Sequence, residues 1–413
     1  MTLLIRFCIA CMFLLMTHGV AAQNENMDES KVNPYTLPNL LISNGKKISN
    51  VKQWERTRKP EILSLYQQHV YGRIPGRPSA MHFTTTSIDR NALQGKATRK
   101  EVTIYFTAGE EGPSMHLLLW IPNKSDKSPV FVGLNFEGNH TTHADSTITI
   151  TEKWKSTSKN KSIVRGSQST RWQVDTLIAH GYGLATAWYQ DVERDDSTGW
   201  QTGIRTTLQE SLQISPKEWG ALAVWGWANS RIMDYLETDE QVDIKRVILT
   251  GHSRLGKAAL WGAANDKRFA AIISNNSGEG GAALARRNFG EDVKRINRAF
   301  PHWFIGKFKD YSLAVDQLPV DQHMLLATMA PRPLYVASAL EDAWADPKGE
   351  FLSAWHASAA YALYIKKGLP SSNMPAVNTP TGKWVHYHIR TGKHDVTLFD
   401  WQQYIGFADE YVK

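Results

Sequence analysis

The stretch Arg246-Val247-Ile248-Leu249-Thr250-Gly251-His252-Ser253-Arg254-Leu255-Gly256-Lys257 decides how this chain reads. Its first five residues form an apolar strand run, and residues 254–264, rich in Ala and Gly, suit a helix packed closely on a sheet. The seven residues from Gly251 to Lys257 between them admit two different machines. Read around Ser253 they are a G-x-S-x-x-G variant of the nucleophile elbow, which displays a serine on a sharp turn between strand and helix. Read from Gly251 they spell G-x-x-x-x-G-K, a loop that cradles phosphate.

Chemistry separates the two. A phosphate loop continues with Ser or Thr, whose hydroxyl holds Mg²⁺, and this chain has Ala258 there. The serine reading makes a further demand, because its partners follow in the order Ser, acid, His at the ends of later strands. The apolar run 334–340 ends in Glu341-Asp342-Ala343-Trp344, and the alternating run 384–390 leads into Thr391-Gly392-Lys393-His394-Asp395. Both partners are present, in order. A serine hydroxyl attacks poorly until a neutral imidazole accepts its proton, and a carboxylate behind the imidazole fixes its tautomer and stabilises the imidazolium.

Working outward, 129–136 and 183–189 read as further buried strands, 102–106 and 115–122 as a hairpin, 172–180 as a helix and 269–274 as another strand. The strongest helical pattern is 216–237, with Ser215 as cap and Pro216 in the first turn. Strands alternating with helices imply an α/β class protein with a mostly parallel sheet covered on both faces. With no linker or repeat in sight, one elaborated domain is expected over 61–413, with a polar N-terminal arm over 23–60 laid on it.

Residues 1–22 have the layout of an export signal: one positive charge at Arg6, an apolar run too short to span a bilayer, and small residues ending Gly19-Val20-Ala21-Ala22. Both cysteines of the chain, Cys8 and Cys11, lie in that segment, so the mature protein is expected to have no thiol chemistry. Cys11 sits in the middle of the apolar run, which argues against a lipid anchor. The expected location is periplasmic or secreted. Losing Arg6 takes the formal charge from +7 to +6, a mild basicity that speaks to solubility. No nucleic-acid partner, membrane span, metal or cofactor is expected, and the chain is expected to be a monomer.

Several clusters invite a functional reading but favour a plainer one. The basic residues among 153–171 read as a solvated loop. His386 and His388 alternate on one strand without a third ligand and read as sheet-surface residues. Asp191-Val192-Glu193-Arg194-Asp195-Asp196 lacks the glycine and terminal glutamate of a calcium loop and reads as a solvated turn.

With Ser253, Arg254 and Lys257 in place, the motif resembles the G-x-S-R-x-G-K signature of the glucuronoyl esterases, carbohydrate esterases of α/β-hydrolase fold. The resemblance continues through Asn276-Ser277-Gly278-Glu279-Gly280-Gly281, Asp342-Ala343-Trp344-Ala345-Asp346-Pro347 and Gly392-Lys393-His394. It implies a three-layer αβα sandwich and hydrolysis of esters of (4-O-methyl-)glucuronic acid, as in lignin-carbohydrate linkages of glucuronoxylan. By motif match, Ser253 is the nucleophile, His394 the base and Arg254 a cationic oxyanion donor, while Lys257, Glu291 and Trp344 hold the uronate sugar. One departure stands out. Many members carry the acid as a glutamate where this chain has Asn276, so the acid must come from elsewhere, with Asp342 expected and Glu341 as runner-up. An acetyl xylan esterase or general carboxylesterase, or a silent glycan-binding protein, are the alternative readings.

Overall fold

The computed structural model describes residues 25–159 and 162–412, and the export-signal reading of residues 1–22 lies outside them. One sheet of ten strands organises the chain: β1 (His82–Asn91), β2 (Ala97–Tyr105), β3 (Ser114–Pro122), β4 (Ser128–Asn135), β5 (Gly183–Trp188), β6 (Val242–His252), β7 (Ala271–Asn275), β8 (Leu334–Ala339), β9 (Thr381–Gly382) and β10 (Val385–Arg390). Their spatial order is β9-β10-β8-β7-β6-β4-β5-β3-β2-β1. The stretch from β10 to β5 is parallel throughout. Antiparallel strands flank it, β9 on one side and β3, β2 and β1 on the other.

The central strands β4, β5, β7 and β8 are buried along their whole length because side chains alternate between two covered faces. In β4, Val130 and Val132 enter a core shared with α1 (Lys59–His69), α2 (Ala221–Leu236), α3 (Arg254–Asn265) and α4 (Pro347–Ala362), while Phe131 enters a second core under α5 (Leu398–Tyr411). This is the mostly parallel sheet covered on both faces that the alternation of elements implies, and the three-layer αβα sandwich that the family resemblance implies. Seven of the 15 tryptophans, among them Trp120, Trp225, Trp261 and Trp401, are fully buried. Each such ring removes on the order of 200 Å² from water. The tryptophan content therefore answers largely to core packing.

Element boundaries differ from the sequence reading where tertiary contacts override local preference. The helix expected from Pro216 begins at Ala221, with Gly220 as its cap. Trp219 is drawn into a β-bridge with Gly72, and a side chain at Gly220 would place its Cβ 2.2 Å from the Trp303 carbonyl oxygen. The helix expected over 172–180 is broken at Gln173, whose φ of +44° splits it into Ser169–Trp172 and Val174–Ala179. The N-terminal arm is tied down by polar contacts: Glu29 pairs with Arg287 and Lys348, and Gly290 N–H donates to the Asn26 carbonyl.

Candidate active site

Four neighbouring parallel strands deliver the central residues to one end of the sheet. In spatial order β10, β8, β7 and β6, they lead at their C-terminal ends into His394, Asp342, Asn276 and Ser253. This is the end where open α/β sheets place their ligand sites.

Ser253 sits between β6 and α3 with φ +57° and ψ −132°, a strained backbone for a residue with a side chain. Close packing enforces it. A Cβ on Gly251 would lie 2.2 Å from the Leu255 carbonyl oxygen, so strand and helix meet only because that position is glycine. Ser253 N–H donates to the Asn275 carbonyl at 2.9 Å, and its own carbonyl accepts from Gly256 and Lys257. The N–H of Arg254 belongs to the first helical turn, whose donors have no partner within the helix.

His394 Nδ1 donates to Asp342 Oδ2 at 2.6 Å, and Asn276 Nδ2 donates to the same oxygen at 2.8 Å. Asp342 is buried, whereas the Glu341 side chain is exposed. Among the described residues no hydrogen bond joins Ser253 Oγ to His394, a link that is commonly loose without substrate. The loop carrying His394 is clamped from below. Arg390 donates to the carbonyls of Thr391, Lys393 and Asp395 while its Nε holds Asp400 Oδ2 at 2.7 Å.

His252 packs its ring against that of His394, with centroids 4.5 Å apart, and its Nδ1 faces Asn275 Oδ1 at 2.6 Å. Burial, with the charge of His394 adding to it, holds its pKa well below the usual histidine value, so it stays neutral beside His394. Behind Asp342, Glu350 is fully buried and accepts from the N–H groups of Ser277 and Gly278 and from Ser338 Oγ. Burial outweighs those donors and pushes its carboxyl up to about 8.

Arg254 lies in a cage of aromatic rings, its guanidinium carbon 5.0 Å from the Trp303 ring centre, 5.6 Å from Phe300 and 5.8 Å from Phe136. Its Nη1 donates to Asp195. Its Nε is buried without a partner among the described residues. Lys257 Nζ donates to Glu291 Oε2 at 3.0 Å and to the Glu279 carbonyl, and it lies 5.6 Å from the Trp303 ring centre. Glu291 N–H donates to the carbonyl of Trp344, whose half-buried ring carries Arg295 on its face. Lys257, Glu291 and Trp344 thus occupy one connected patch adjoining Arg254.

Two plain readings of the sequence need correction. The 191–196 stretch is not a solvated turn: Asp191 and Glu193 are buried, Glu193 pairs with Arg205, and Asp195 is the acceptor at the centre of the Arg254 cage. Nor are His386 and His388 on an open sheet surface. His388 is fully buried between Tyr335 and Asp400, and burial lowers His386 to about 4 against the rings of Phe407 and Tyr411. Asp195, His302 and Trp303, which no motif of the sequence marks, join the site through these contacts with Arg254. The one signal in the sequence was that Asp195 follows a buried strand, β5, at the productive end of the sheet. Among the described residues no group of three or more His, Cys, Asp or Glu side chains is arranged to hold a metal ion, and no helix is long and apolar enough to cross a membrane.

Residues 138–365 match the family model described as glucuronyl esterase, fungi. A solved glucuronoyl esterase from Solibacter usitatus superposes with a TM-score of 0.88 at 47% identity, over 93% of this chain and 100% of that one. A structure described as a promiscuous CE15 esterase from the marine bacterial metagenome gives a TM-score of 0.87 at 45% identity, over 94% of this chain and 100% of that one. The 4-O-methyl-glucuronoyl methylesterase 1 of Phanerochaete chrysosporium is 33% identical over 81% of this chain, which spans 62% of the fungal protein.

Proposed function

Since the chain belongs to the glucuronoyl esterase family and is a carboxylic ester hydrolase, we propose that it cleaves esters of (4-O-methyl-)glucuronic acid, as in the lignin-carbohydrate linkages of glucuronoxylan, through Ser253, His394 and Asp342. The observation that carries this reading is the 2.6 Å bond from His394 Nδ1 to buried Asp342, on two neighbouring strands that only β7 separates from the one presenting Ser253. That bond leaves Nε2 of His394 as the proton acceptor.

Ser253 Oγ attacks the ester carbonyl as His394 takes its proton. The negative charge on the carbonyl oxygen meets the Arg254 guanidinium and the first N–H groups of α3, donors aimed where charge develops. His394 then returns the proton to the departing alcohol, and a water, activated by the same imidazole, releases glucuronate from Ser253. Lys257 and Glu291, already paired, offer a donor and an acceptor to pyranose hydroxyls, and the Trp344 indole offers an apolar face. Asp342 supplies the carboxylate that Asn276 lacks. Catalysis is assigned to the 61–413 domain with 23–60 as its arm, in an exported monomer.

The test is alcohol release from benzyl and methyl esters of glucuronic acid, with Ser253→Ala as control. Turnover by the wild type that Ser253→Ala abolishes supports the reading, and absence of turnover by both overturns it. A broader carboxylesterase activity is the second reading, motivated by the neighbour described as promiscuous.

A further inference from the structure

Asp195 receives four donors from four different side chains. Its Oδ1 accepts His302 Nε2 at 2.8 Å and Trp303 Nε1 at 2.7 Å, and its Oδ2 accepts the Tyr189 hydroxyl at 3.1 Å and Arg254 Nη1. The carboxylate side chain is only 6% exposed. Burial alone would favour its neutral form, but the bond from His302, the charge of Arg254 and the bond from Trp303 hold it well below the usual carboxylate range. A buried carboxylate with every lone pair engaged cannot swing, so whatever it grips is fixed as well.

What it grips is one corner of Arg254. The rings of Trp303, Phe300 and Phe136 close around the rest of the guanidinium, and Phe300 stacks on Trp303 with centroids 3.8 Å apart. With Nη1 held by Asp195 and rings on its sides, the guanidinium is restrained from turning end over end. Its Nε is buried without a partner among the described residues, and the 30% of the side chain left open is where a substrate oxygen would approach it.

We propose that Asp195 is a positioning residue that pre-orients Arg254 toward the oxyanion, with His302, Trp303 and Tyr189 as the struts that fix Asp195. This rests on the reading of Arg254 as oxyanion donor given above. Held this way, the arginine needs no reorganisation as charge develops, which is where an oxyanion donor has its effect. Asp195 touches no reacting atom and acts only through Arg254.

The test is a double-mutant cycle on benzyl glucuronate with Asp195→Asn, Arg254→Ala and the double variant, reading kcat and KM separately. Arg254→Ala is expected to lower kcat by about 10²-fold. Asp195→Asn is expected to lower kcat by about tenfold or more with KM changed less than about threefold, and to cost less than about twofold when Arg254 is already Ala. Additive losses, or a loss confined to KM, would overturn the proposal. His302→Ala and His302→Gln extend the cycle should Asp195→Asn not fold: the glutamine keeps an N–H for Asp195 and should recover most of the kcat that alanine loses, and equal losses in both would also count against it. An Arg254→Ala variant as fast as the wild type would overturn the oxyanion assignment itself, and the proposal with it.

Discussion

Asn276 donates its side-chain amide to Asp342 across 2.8 Å, to the same carboxylate oxygen that receives His394. The residue at the position where the family resemblance leads one to expect a glutamate is thus a hydrogen-bond partner of the carboxylate proposed above as the acid. Its strand, β7, lies next to the strand that carries Asp342.

Asp342→Asn should lower kcat by about 10²–10⁴-fold, because an amide neither fixes the tautomer nor stabilises the imidazolium. Glu341→Gln should stay within about twofold, since its side chain is exposed. Steady-state kinetics on one glucuronate ester decide this, and a larger loss in Glu341→Gln would reassign the acid.

Asn276→Glu alone should be slow at neutral pH, because two carboxylates would share the site and one of them would hold a proton. Combined with Asp342→Asn it should recover activity, by about tenfold or more over Asp342→Asn alone. The comparison of single and double variants checks it, and a double variant no faster than Asp342→Asn would show that β7 cannot supply the acid.

Arg390→Ala would leave Asp400 buried without its guanidinium and free three carbonyls of the His394 loop. Breaking one partner of a buried pair costs about 3–5 kcal/mol, so the urea midpoint should fall clearly. Arg390→Lys should fold better yet keep a lowered kcat, because a point charge cannot bridge those carbonyls. Unchanged kcat in the folded lysine variant would contradict the clamp.

Glu350 releases its proton near 4.5 when exposed in the unfolded chain but only near about 8 when folded. Between those values the folded protein holds the extra proton, so stability falls as pH rises through the window. Glu350→Gln cannot titrate and should gain on the wild type from pH 5 to pH 8 by urea unfolding. A difference that does not vary with pH would contradict this.

The strand-and-helix alternation was legible because parallel strands buried on both faces leave continuous apolar runs, as in β4 and β8. β1 was not, since an edge strand with no fully buried position shows no such run. Ser253 and His394 could be found from local motifs at strand ends. Asp195 could not be, because its partners Arg254, His302 and Trp303 lie 59 to 108 residues away, and in sequence a cluster of acids looks like a solvated turn. The same holds for His388, whose burial is made by Tyr335 and by a helix that follows it in the chain.

The most direct measurement sets kcat/KM for benzyl glucuronate against that for deacetylation of acetylated xylan, with the same preparation at the same pH. If Lys257, Glu291 and Trp344 hold a uronate sugar before Ser253, the glucuronate ester should be favoured by about 10²-fold or more. Equal rates, or a preference for the acetyl group, would contradict the account.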